Sequence, residues 1–584
     1  MDRLLSPNIV PASSRSCSIA QSSLFHVVSV LLLAAWLFGM DGGWVFGPDL
    51  GALGLTDRDE GSNAEAAREM LETGDWISPT LNYEPRYAKP AFVYWLISGS
   101  YTLFGVNEFA ARFPSALSGL CLLLLQYVFV RTWVGPKVAV LSSFMLLLNL
   151  EFLGINRMVL TDPELVVFTT LAGYSFWHGL EHEHTQRSWF AVFYLAMGFG
   201  MLVKGPVGII IPLVGVIPFL TLTRQWGKFW QRGFPLVGVL LVAAVAAPWY
   251  IMMFQIHGDA YWAAAQANTT GRFMNPMEGH GGTIFFYLPV LLVGFFPWSP
   301  ALCSILYQSL KQWKAYWKGQ VIISAEKNLE CFLSLWVVGL LLFFTLSATR
   351  LPHYIYPLFP AAAVLTALWW KRFLVEESPA GLTSSIRILI GVGYVLGIAL
   401  TCIPAVFHWF IKAITKEFPA AVQVELGWLP SILGIIIVLG TMLMRHFMIS
   451  DSKRHLASWA GSGMIVIFAV AAGYLALPVY QQYFVGPPQR LAAIAGFNLG
   501  QDDRLIQFGR KRPSLSFYAK RKVYFLGIHD EELPQHLSAP GRKMAIIQTP
   551  LRGKLPEAMS DWKAVLEHGG FSLLSSEPLL KGTS

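Results

Sequence analysis

The sequence predicts an all-α, polytopic membrane protein with about thirteen transmembrane helices and a small C-terminal α/β soluble domain. Hydrophobic residues make up 54% of the 584 positions and charged residues only 13%, which is too apolar for a water-soluble fold of this length. Apolar runs of about 20 residues, the length that crosses a bilayer core about 30 Å thick, recur from Leu24 to Leu477. Lipid is therefore the solvent of most of the chain.

We expect the chain to divide into three parts. A cytoplasmic segment over 1–23 precedes a transmembrane domain over 24–480, whose first outer loop covers 41–108 and carries juxtamembrane helices, and an α/β domain over 481–584 follows. The predicted spans are 24–40, 109–130, 138–153, 165–180, 189–203, 207–222, 234–254, 285–306, 331–346, 354–370, 388–410, 429–444 and 460–477. Because their number is odd, the C-terminal domain is expected on the non-cytoplasmic side.

The distribution of Lys and Arg supports this orientation, because these residues collect in short cytoplasmic loops. The alternate connections that hold them carry Arg131, Lys137, Arg224, Lys228, Arg232, Lys311, Lys314, Lys318, Lys371, Arg372, Arg387, Arg445, Lys453 and Arg454. Most Lys and Arg residues lie either in these short loops or in the C-terminal domain, so the net charge of +8 does not indicate a nucleic-acid partner.

The C-terminal domain alternates short β-like runs with helical patterns. The β-like runs are 504–508, 522–526 and 543–548. Ser560 and Glu567 bracket a predicted helix around Trp562, Val565 and Leu566. We find no catalytic pattern in this domain.

Chemistry is expected in the first outer loop, where charged residues concentrate at the membrane edge. The segment from Ser62 to Glu65 fits a capping box, and the helix that it predicts stops at Gly74. Asp59 and Glu60 then precede the helix, whose dipole favours an ionised carboxylate. Such a carboxylate can take a proton from an incoming hydroxyl, as glycosyl transfer requires. The alternative is a pair of solvated charges before a surface helix.

Three cations share this side of the membrane in the predicted topology: Lys89, Arg272 and Arg350. Together they can bind a phosphate and stabilise the charge that develops as polyprenyl phosphate leaves a sugar. The alternative for each one is contact with lipid headgroups at the interface.

The motifs around these residues extend along most of the membrane region. They are Asp59-Glu60, Ala64 to Leu71, Gly74-Asp75-Trp76, Lys89-Pro90, Tyr94-Trp95, Leu103-Phe104-Gly105, Asn107 to Pro114, Lys204-Gly205-Pro206, Pro248-Trp249-Tyr250, Gly271-Arg272-Phe273, Tyr287-Leu288-Pro289 and Pro352 to Pro360. In this order they resemble the aminoarabinose transferases and the protein O-mannosyltransferase-like enzymes. The resemblance implies a divergent member of that group with a fold of the GT-C type.

The same resemblance implies roles for individual residues. Asp59 corresponds to the catalytic carboxylate. The residues expected to bind substrate are Glu60, Lys89, Asp162, Arg272, Arg350 and Tyr354. Lys89 and Arg272 correspond to contacts with the donor phosphate, and the last two to a further part of the donor pocket. Asp162 matches a family position, but it can equally cap a helix that begins at Pro163.

The departures from the family pattern bear on metal and substrate. Aminoarabinose transferases carry Arg and Tyr at the positions of Ser62 and Asn63, Glu at the position of Ala88 and His at the position of Thr269. The last two are the side chains expected to hold a metal, so we predict none, and no cofactor.

Nearby residues offer only limited replacements for the missing ligands. Glu84 and His280 are of suitable type, but neither has a supporting pattern. All 5 cysteines lie in the N-terminal segment or in apolar spans, which implies neither a disulfide framework nor a Cys-based metal site.

The resulting hypothesis is a membrane glycosyltransferase, a hexosyl or pentosyl transferase of the bacterial inner (plasma) membrane with its C-terminal domain in the periplasm. Its expected partners are a polyprenyl-phosphate sugar donor, a lipid or glycan acceptor and membrane lipids. The alternative is a flippase or transporter of lipid-linked sugars without transferase activity. A transporter is expected to place ionisable groups inside its spans, which are nearly uncharged here.

Overall fold

The computed structural model describes residues 12–40, 49–182, 185–276, 281–319, 324–375 and 381–578. Within these residues, 6 helices are long and apolar enough to cross a membrane, and shorter apolar helices accompany them. The chain is thus a multi-pass membrane protein built mainly of helices, as its composition predicts. The number of thirteen spans stays a prediction.

The helices up to the middle of the chain begin and end as follows. They are α1 (Ala12–Phe38), α2 (Asp59–Thr73), α3 (Phe92–Phe104), α4 (Glu108–Trp133), α5 (Pro136–Leu147), α6 (Leu150–Ile155), α7 (Asp162–Glu181), α8 (Gln186–Lys204), α9 (Val207–Thr223), α10 (Trp226–Gly233), α11 (Pro235–Gln266) and α12 (Arg272–Met274). Between α2 and α3, strands β1 (Thr80–Leu81) and β2 (Glu84–Pro85) form a short antiparallel hairpin.

The second group of helices completes the membrane region and ends with α21, which packs against the sheet of the C-terminal domain. It comprises α13 (Tyr287–Gly294), α14 (Ser299–Trp317), α15 (Ala325–Leu346), α16 (Phe359–Val375), α17 (Leu382–Ile414), α18 (Leu429–Ile449), α19 (His455–Ala471), α20 (Leu477–Tyr480) and α21 (Gly486–Asn498). A 3-10 helix over Pro352–Leu358 leads into α16 and carries part of the site described below.

Two predicted spans, 138–153 and 285–306, are each divided between two helices. In the first, the Asn149 side chain accepts a 2.9 Å hydrogen bond from the amide of Phe152, so it caps α6 as a new helix. In the second, Pro297 lies between α13 and α14 and lacks the amide hydrogen that a continuous helix needs. A capping asparagine and a proline therefore divide apolar segments that hydropathy alone predicts to be single helices.

Helix α2 corrects the predicted capping box. The helix begins at Asp59, and Ser62 lies within it rather than capping it. Arg58 occupies the N-cap position with a φ of 75°. The end is as predicted, because Gly74 adopts a left-handed φ of 72°. Asp59 and Glu60 consequently lie in the first turn of the helix and not before it.

The C-terminal domain contains a five-stranded sheet of order β4-β3-β5-β7-β6. Its further elements are β3 (Arg504–Phe508), α22 (Ser514–Ala519), β4 (Val523–Leu526), α23 (Leu533–Ser538), β5 (Lys543–Gln548), β6 (Lys563–His568) and β7 (Phe571–Ser575). β3 pairs in parallel with β4 and β5, whereas β7 pairs antiparallel with β5 and β6. Apolar clusters cover both faces of the sheet.

One predicted element of this domain is wrong. Val565 and Leu566 lie in strand β6, and Trp562 directly precedes it, so the segment is not a helix. Gly569 and Gly570, with φ of 55° and 75°, form a two-residue connection that returns the chain as β7. A Gly-Gly pair is a typical hairpin signal, and it outweighs the helical spacing of three apolar residues.

The C-terminal domain packs on the first outer loop, so it lies on the same side of the helices as Asp59. The amide of Asn82 in the β1–β2 hairpin donates to the carbonyl of Val523 over 2.8 Å, and its oxygen accepts from the Val523 amide over 2.8 Å. The Tyr518 hydroxyl donates to Glu108 over 2.8 Å.

Candidate active site

Two neighbouring helices, α7 and α8, bring an acidic and a basic side chain together at one end. α7 begins with Asp162 and α8 ends with Lys204, and the Lys204 ammonium donates to the Asp162 carboxylate over 2.7 Å. His353 from the 3-10 helix approaches the other carboxylate oxygen at 3.9 Å. Asp162 does not cap α7, because it lies inside the first turn and makes no capping bond. Its carboxylate instead orders two cationic or polar side chains.

Tyr354 joins Lys204 to the predicted phosphate ligand Arg272. Its hydroxyl accepts a 3.2 Å hydrogen bond from Nη1 of Arg272. The Lys204 ammonium lies 5.0 Å from the centre of the same ring, within the range of a cation–π contact. Arg272 at the start of α12 and Lys204 at the end of α8 both contact Tyr354 in the 3-10 helix. We call these side chains the cationic group.

Lys89 completes this group. Burial, followed by the positive charges of Lys204 and Arg272, lowers the pKa of Lys89 to about 7. The negative charges of Asp162 and Asp59 oppose this shift without cancelling it. Three cations therefore lie within electrostatic reach of one another, and a further negative charge near them is favourable.

Asp59 lies beside these cations with its carboxylate uncommitted. The side chain is exposed, and none of the described residues forms a hydrogen bond or ion pair with it. Its charge acts on both Lys89 and His353, so it lies within electrostatic reach of the cationic group. A carboxylate in this condition can accept a proton from a bound hydroxyl.

A cleft of about 630 Å³ opens next to Asp59. Its polar side consists of residues 56–60 with Glu151 and His353. Its apolar side consists of Leu150, Ile155, Met158, Leu160, Pro289, Val290 and Val293. Both carboxylate oxygens of Glu151 are buried, and no described residue hydrogen-bonds them. The cleft thus offers an apolar wall and acidic groups that can bind hydroxyl or ammonium donors.

Glu60, expected to bind substrate, instead holds the chain together. Its carboxylate pairs with the buried guanidinium of Arg112 at 2.8 Å. It also accepts from the Thr56 amide and hydroxyl and from the Val159 amide at 2.9, 2.7 and 3.0 Å. Arg112 and hydrogen bonding counter the effect of burial and lower the pKa of Glu60. No lone pair is left for a ligand, so Glu60 is a structural residue.

Arg350 lies at the edge of the group. Its guanidinium donates to the carbonyl of Gly282 and, over 2.9 Å, to that of Thr345. It therefore links the loop before α13 to the end of α15. A contact between Arg350 and the donor stays a prediction.

The residues of suitable type for a metal do not form a cluster. Among the described residues, no group of three or more His, Cys, Asp and Glu side chains is placed to hold a metal ion. Glu84 lies on the surface and pairs with Lys522 at 2.6 Å. His280 lies outside the described residues.

An apolar groove of about 1350 Å³ runs along α8, α9 and α11 and ends near the cationic group. Met201 and Tyr250 line it close to Lys204, and Trp226, Phe229 and Trp230 line the opposite end. It follows the helices from one end to the other, so an isoprenoid chain can lie in it while its phosphate reaches the cations.

Sequence inspection missed two members of the site. Lys204 was noticed only as part of a Lys-Gly-Pro motif, and His353 only within a proline-bounded segment. Those two motifs were the sequence features that could have indicated Lys204 and His353 as site residues. Their meeting at Asp162 depends on how α7, α8 and the 3-10 helix pack, which no local pattern encodes.

The chain is similar to known proteins in both sequence and fold. A sequence profile of the dolichyl-phosphate-mannose-protein mannosyltransferase family matches residues 61–262. An undecaprenyl phosphate-alpha-4-amino-4-deoxy-L-arabinose arabinosyl transferase of Edwardsiella ictaluri is 30% identical over 355 residues, 60% of this chain and 62% of that protein. Its counterpart in Pectobacterium atrosepticum is 29% identical over 382 residues, 65% of this chain and 64% of that protein. The chain thus spans less than two thirds of the length of these relatives.

A solved structure matches almost the whole chain. ArnT from Cupriavidus metallidurans bound to undecaprenyl phosphate has a TM-score of 0.73 at 23% identity, over 96% of this chain and 99% of that one. The fold is therefore that of a polytopic GT-C membrane protein. In sequence the chain is similar to the aminoarabinose transferases and to the protein mannosyltransferase family, which agrees with the resemblance carried by its motifs.

Proposed function

We propose that the chain is a membrane glycosyltransferase that moves a sugar from a polyprenyl-phosphate donor to a lipid or other envelope acceptor. The observation that carries the proposal is the placement of Asp59. Its uncommitted carboxylate lies between a cleft of about 630 Å³ and a group of cations formed by Lys89, Lys204 and Arg272. A base beside an anion site is what transfer with a phosphate leaving group requires.

In the proposed reaction, the acceptor oxygen attacks the anomeric carbon of the sugar. The bond from that carbon to the phosphate oxygen breaks, and its electron pair leaves with polyprenyl phosphate. The proton of the acceptor hydroxyl goes to Asp59. One displacement inverts the anomeric configuration, and no redox partner or metal ion is needed for the balance.

The other residues of the site are assigned to the donor. Lys89 and Arg272 bind its phosphate, Tyr354 orients Arg272, and Asp162 holds Lys204 in place. Arg350 supports the same loops. The apolar groove along α8, α9 and α11 receives the polyprenyl chain, and the names of the curated relatives support an undecaprenyl phosphate donor.

The acceptor is assigned to the cleft lined by Glu151 and His353. Its apolar wall suits an acyl or isoprenoid portion, and its acidic groups suit hydroxyl or amino groups. We place the site on the periplasmic side of the bacterial inner membrane, with the C-terminal domain on that side. The basic loops at the opposite helix ends support this orientation.

The experiment uses the purified chain in lipid nanodiscs with a radiolabelled polyprenyl-phosphate pentose or hexose. We expect free polyprenyl phosphate and a labelled lipid to appear together, and only when an envelope lipid extract is present. A flippase predicts movement of intact donor across proteoliposomes without release of polyprenyl phosphate. Translocation without release would overturn the proposal.

A further inference from the structure

The segment that leads into Asp59 is held from two directions. From inside the bundle, the Arg112 guanidinium donates to the carbonyls of Leu50 and Gly54, each over 3.0 Å. From the other direction, residues near and within the C-terminal domain bind it. Gln481 accepts a 2.8 Å hydrogen bond from the Gly54 amide, and the Tyr518 hydroxyl accepts a 2.9 Å bond from the Leu55 amide.

The strongest contact from the C-terminal domain is made to Asp57, two residues before Asp59. One carboxylate oxygen accepts from the Ser514 hydroxyl over 2.6 Å and from the Ser514 amide over 3.2 Å. The other pairs with the Arg512 guanidinium at 3.1 Å. A residue of the membrane domain is thereby fixed by three donors from a separate domain.

Arg512 is itself rigidly held. Its side chain is only 5% exposed. Its guanidinium also donates to the Glu417 carbonyl over 2.7 Å and lies 5.4 Å from the ring centres of Phe418 and Phe571. The energy of this contact does not depend on a mobile surface side chain, unlike that of a typical exposed ion pair.

The backbone conformation of Arg58, between Asp57 and Asp59, depends on these contacts to Asp57. Arg58 has a φ of 75°, a left-handed conformation that non-glycine residues adopt only when their surroundings impose it. If Asp57 is released, Arg58 can return to an ordinary conformation. That change rotates the start of α2 and turns Asp59 away from the cleft.

We propose that Arg512 and Ser514 are positioning residues for sugar transfer, which set the direction of the Asp59 carboxylate through Asp57. This inference rests on the proposed function, since it gives the C-terminal domain a part in the same reaction. It assigns these residues no contact with substrate. The domain acts instead as an external brace for the catalytic turn.

The kinetic test compares Arg512→Ala, Arg512→Lys and Ser514→Ala in the full-length chain. We expect kcat to fall about ten- to hundred-fold for Arg512→Ala while KM for the donor changes little, because displacing a catalytic group by about 1 Å costs up to this much. Arg512→Lys should recover part of kcat, since a charge can still reach Asp57. Ser514→Ala removes one hydroxyl that donates to Asp57. It provides the same test if Arg512→Ala folds poorly.

The matched control is Lys522→Ala. Lys522 joins the same two parts of the chain through an exposed pair with Glu84, away from Asp57. Its loss should leave kcat unchanged. A double variant of Asp57→Ala with Arg512→Ala should be no slower than the slower single variant, because both remove one contact. Additive losses would overturn the inference.

A second readout does not depend on activity. Hydrogen exchange of the amides in residues 50–58 should become faster in Arg512→Ala and not in Lys522→Ala. If the parent protein transfers no sugar from any donor, the proposed function fails, and faster exchange still supports the brace. Unchanged exchange in Arg512→Ala, or an unchanged kcat in an active protein, would overturn it.

Discussion

At the scale of single residues, the unusual feature of the site is an imbalance of charge around Lys89. Burial, followed by the charges of Lys204 and Arg272, lowers its pKa, and Asp162, one of the two nearby anions, is already paired with Lys204. The site therefore lacks a negative charge in the absence of ligand. A phosphate supplies that charge, so binding the donor should favour the protonated form of Lys89.

This imbalance predicts how donor binding depends on pH. Lys89, with a pKa of about 7, is charged below that pH and neutral above it. The donor is a phosphodiester whose own charge does not change in this range. Its affinity should be fully present below pH 7 and fall as pH rises through 7, by up to roughly tenfold per pH unit at higher pH. Titration of donor binding from pH 6 to pH 9 measures this.

Lys89→Arg is the matched variant, because a guanidinium stays charged over the whole range. Its donor affinity should be nearly independent of pH between 6 and 9. An equally steep decline in Lys89→Arg would show that another group is responsible.

The sequence predicts many individual residues of the site, but it does not predict which of them contact one another. The sequence pointed to Asp59, Lys89, Arg272 and Tyr354, and the structure gathers them on one side of the bundle. The role expected of Glu60 is wrong, because its charge is satisfied by Arg112, which lies 52 positions away. Adjacent acidic residues look alike in a sequence. Only the fold decides which one is paired within the protein and which one keeps an unpaired carboxylate.

At the scale of secondary-structure elements, the contact between α2 and α22 depends on a glycine. A Cβ atom added at Gly61 would lie 2.7 Å from the amide nitrogen and 2.9 Å from the Cα of Ser514. Both are backbone atoms that cannot move aside without shifting α22. The small residue therefore allows the C-terminal domain to approach the first turn of α2, which carries Asp59.

Gly61→Ala should separate α22 from α2. We expect faster proteolytic release of the C-terminal domain and a lower kcat, with donor binding retained. The control is Gly99→Ala in α3, where an added Cβ meets no other atom within 4 Å. A Gly61→Ala protein as resistant to protease and as active as Gly99→Ala would contradict this account of the interface.

The pair of Glu60 and Arg112 stabilises the connection between α2 and α4. Arg112→Met leaves a buried carboxylate without its partner, and such losses cost about 3–5 kcal/mol. The exposed pair of Arg552 and Glu567, at 3.3 Å, is the comparison, because pairs of that kind contribute about 0–1 kcal/mol. Thermal unfolding in detergent should show a clear destabilisation for Arg112→Met and almost none for Arg552→Met. Equal destabilisation would contradict the structural role of Glu60.

At the scale of the whole molecule, composition and loop charges predicted a helical membrane bundle with a C-terminal α/β domain, and the structure has both. Hydropathy missed the breaks at Asn149 and Pro297, because it averages over residues whose capping or missing amide ends a helix. The docking of the C-terminal domain on α2 was also beyond prediction. It depends on pairs such as Asp57 with Arg512, separated by 455 positions.

The proposed orientation has a direct test. Alkaline phosphatase fused after residue 578 should be active in a bacterial host, because the C-terminal domain is placed in the periplasm with Asp59. A fusion within the basic loop after α14, near Lys318, should be inactive. The opposite pattern would invert the topology and remove the site from the periplasm.

The central claim, that Asp59 is the base of a polyprenyl-phosphate sugar transferase, is tested most directly by Asp59→Asn. Asparagine keeps the shape of the side chain but cannot take up the proton. We predict that single-turnover transfer falls by about 100- to 10,000-fold while donor binding is retained, whereas Asp561→Asn in the C-terminal domain transfers normally. Transfer by Asp59→Asn at the rate of the parent protein would contradict the account.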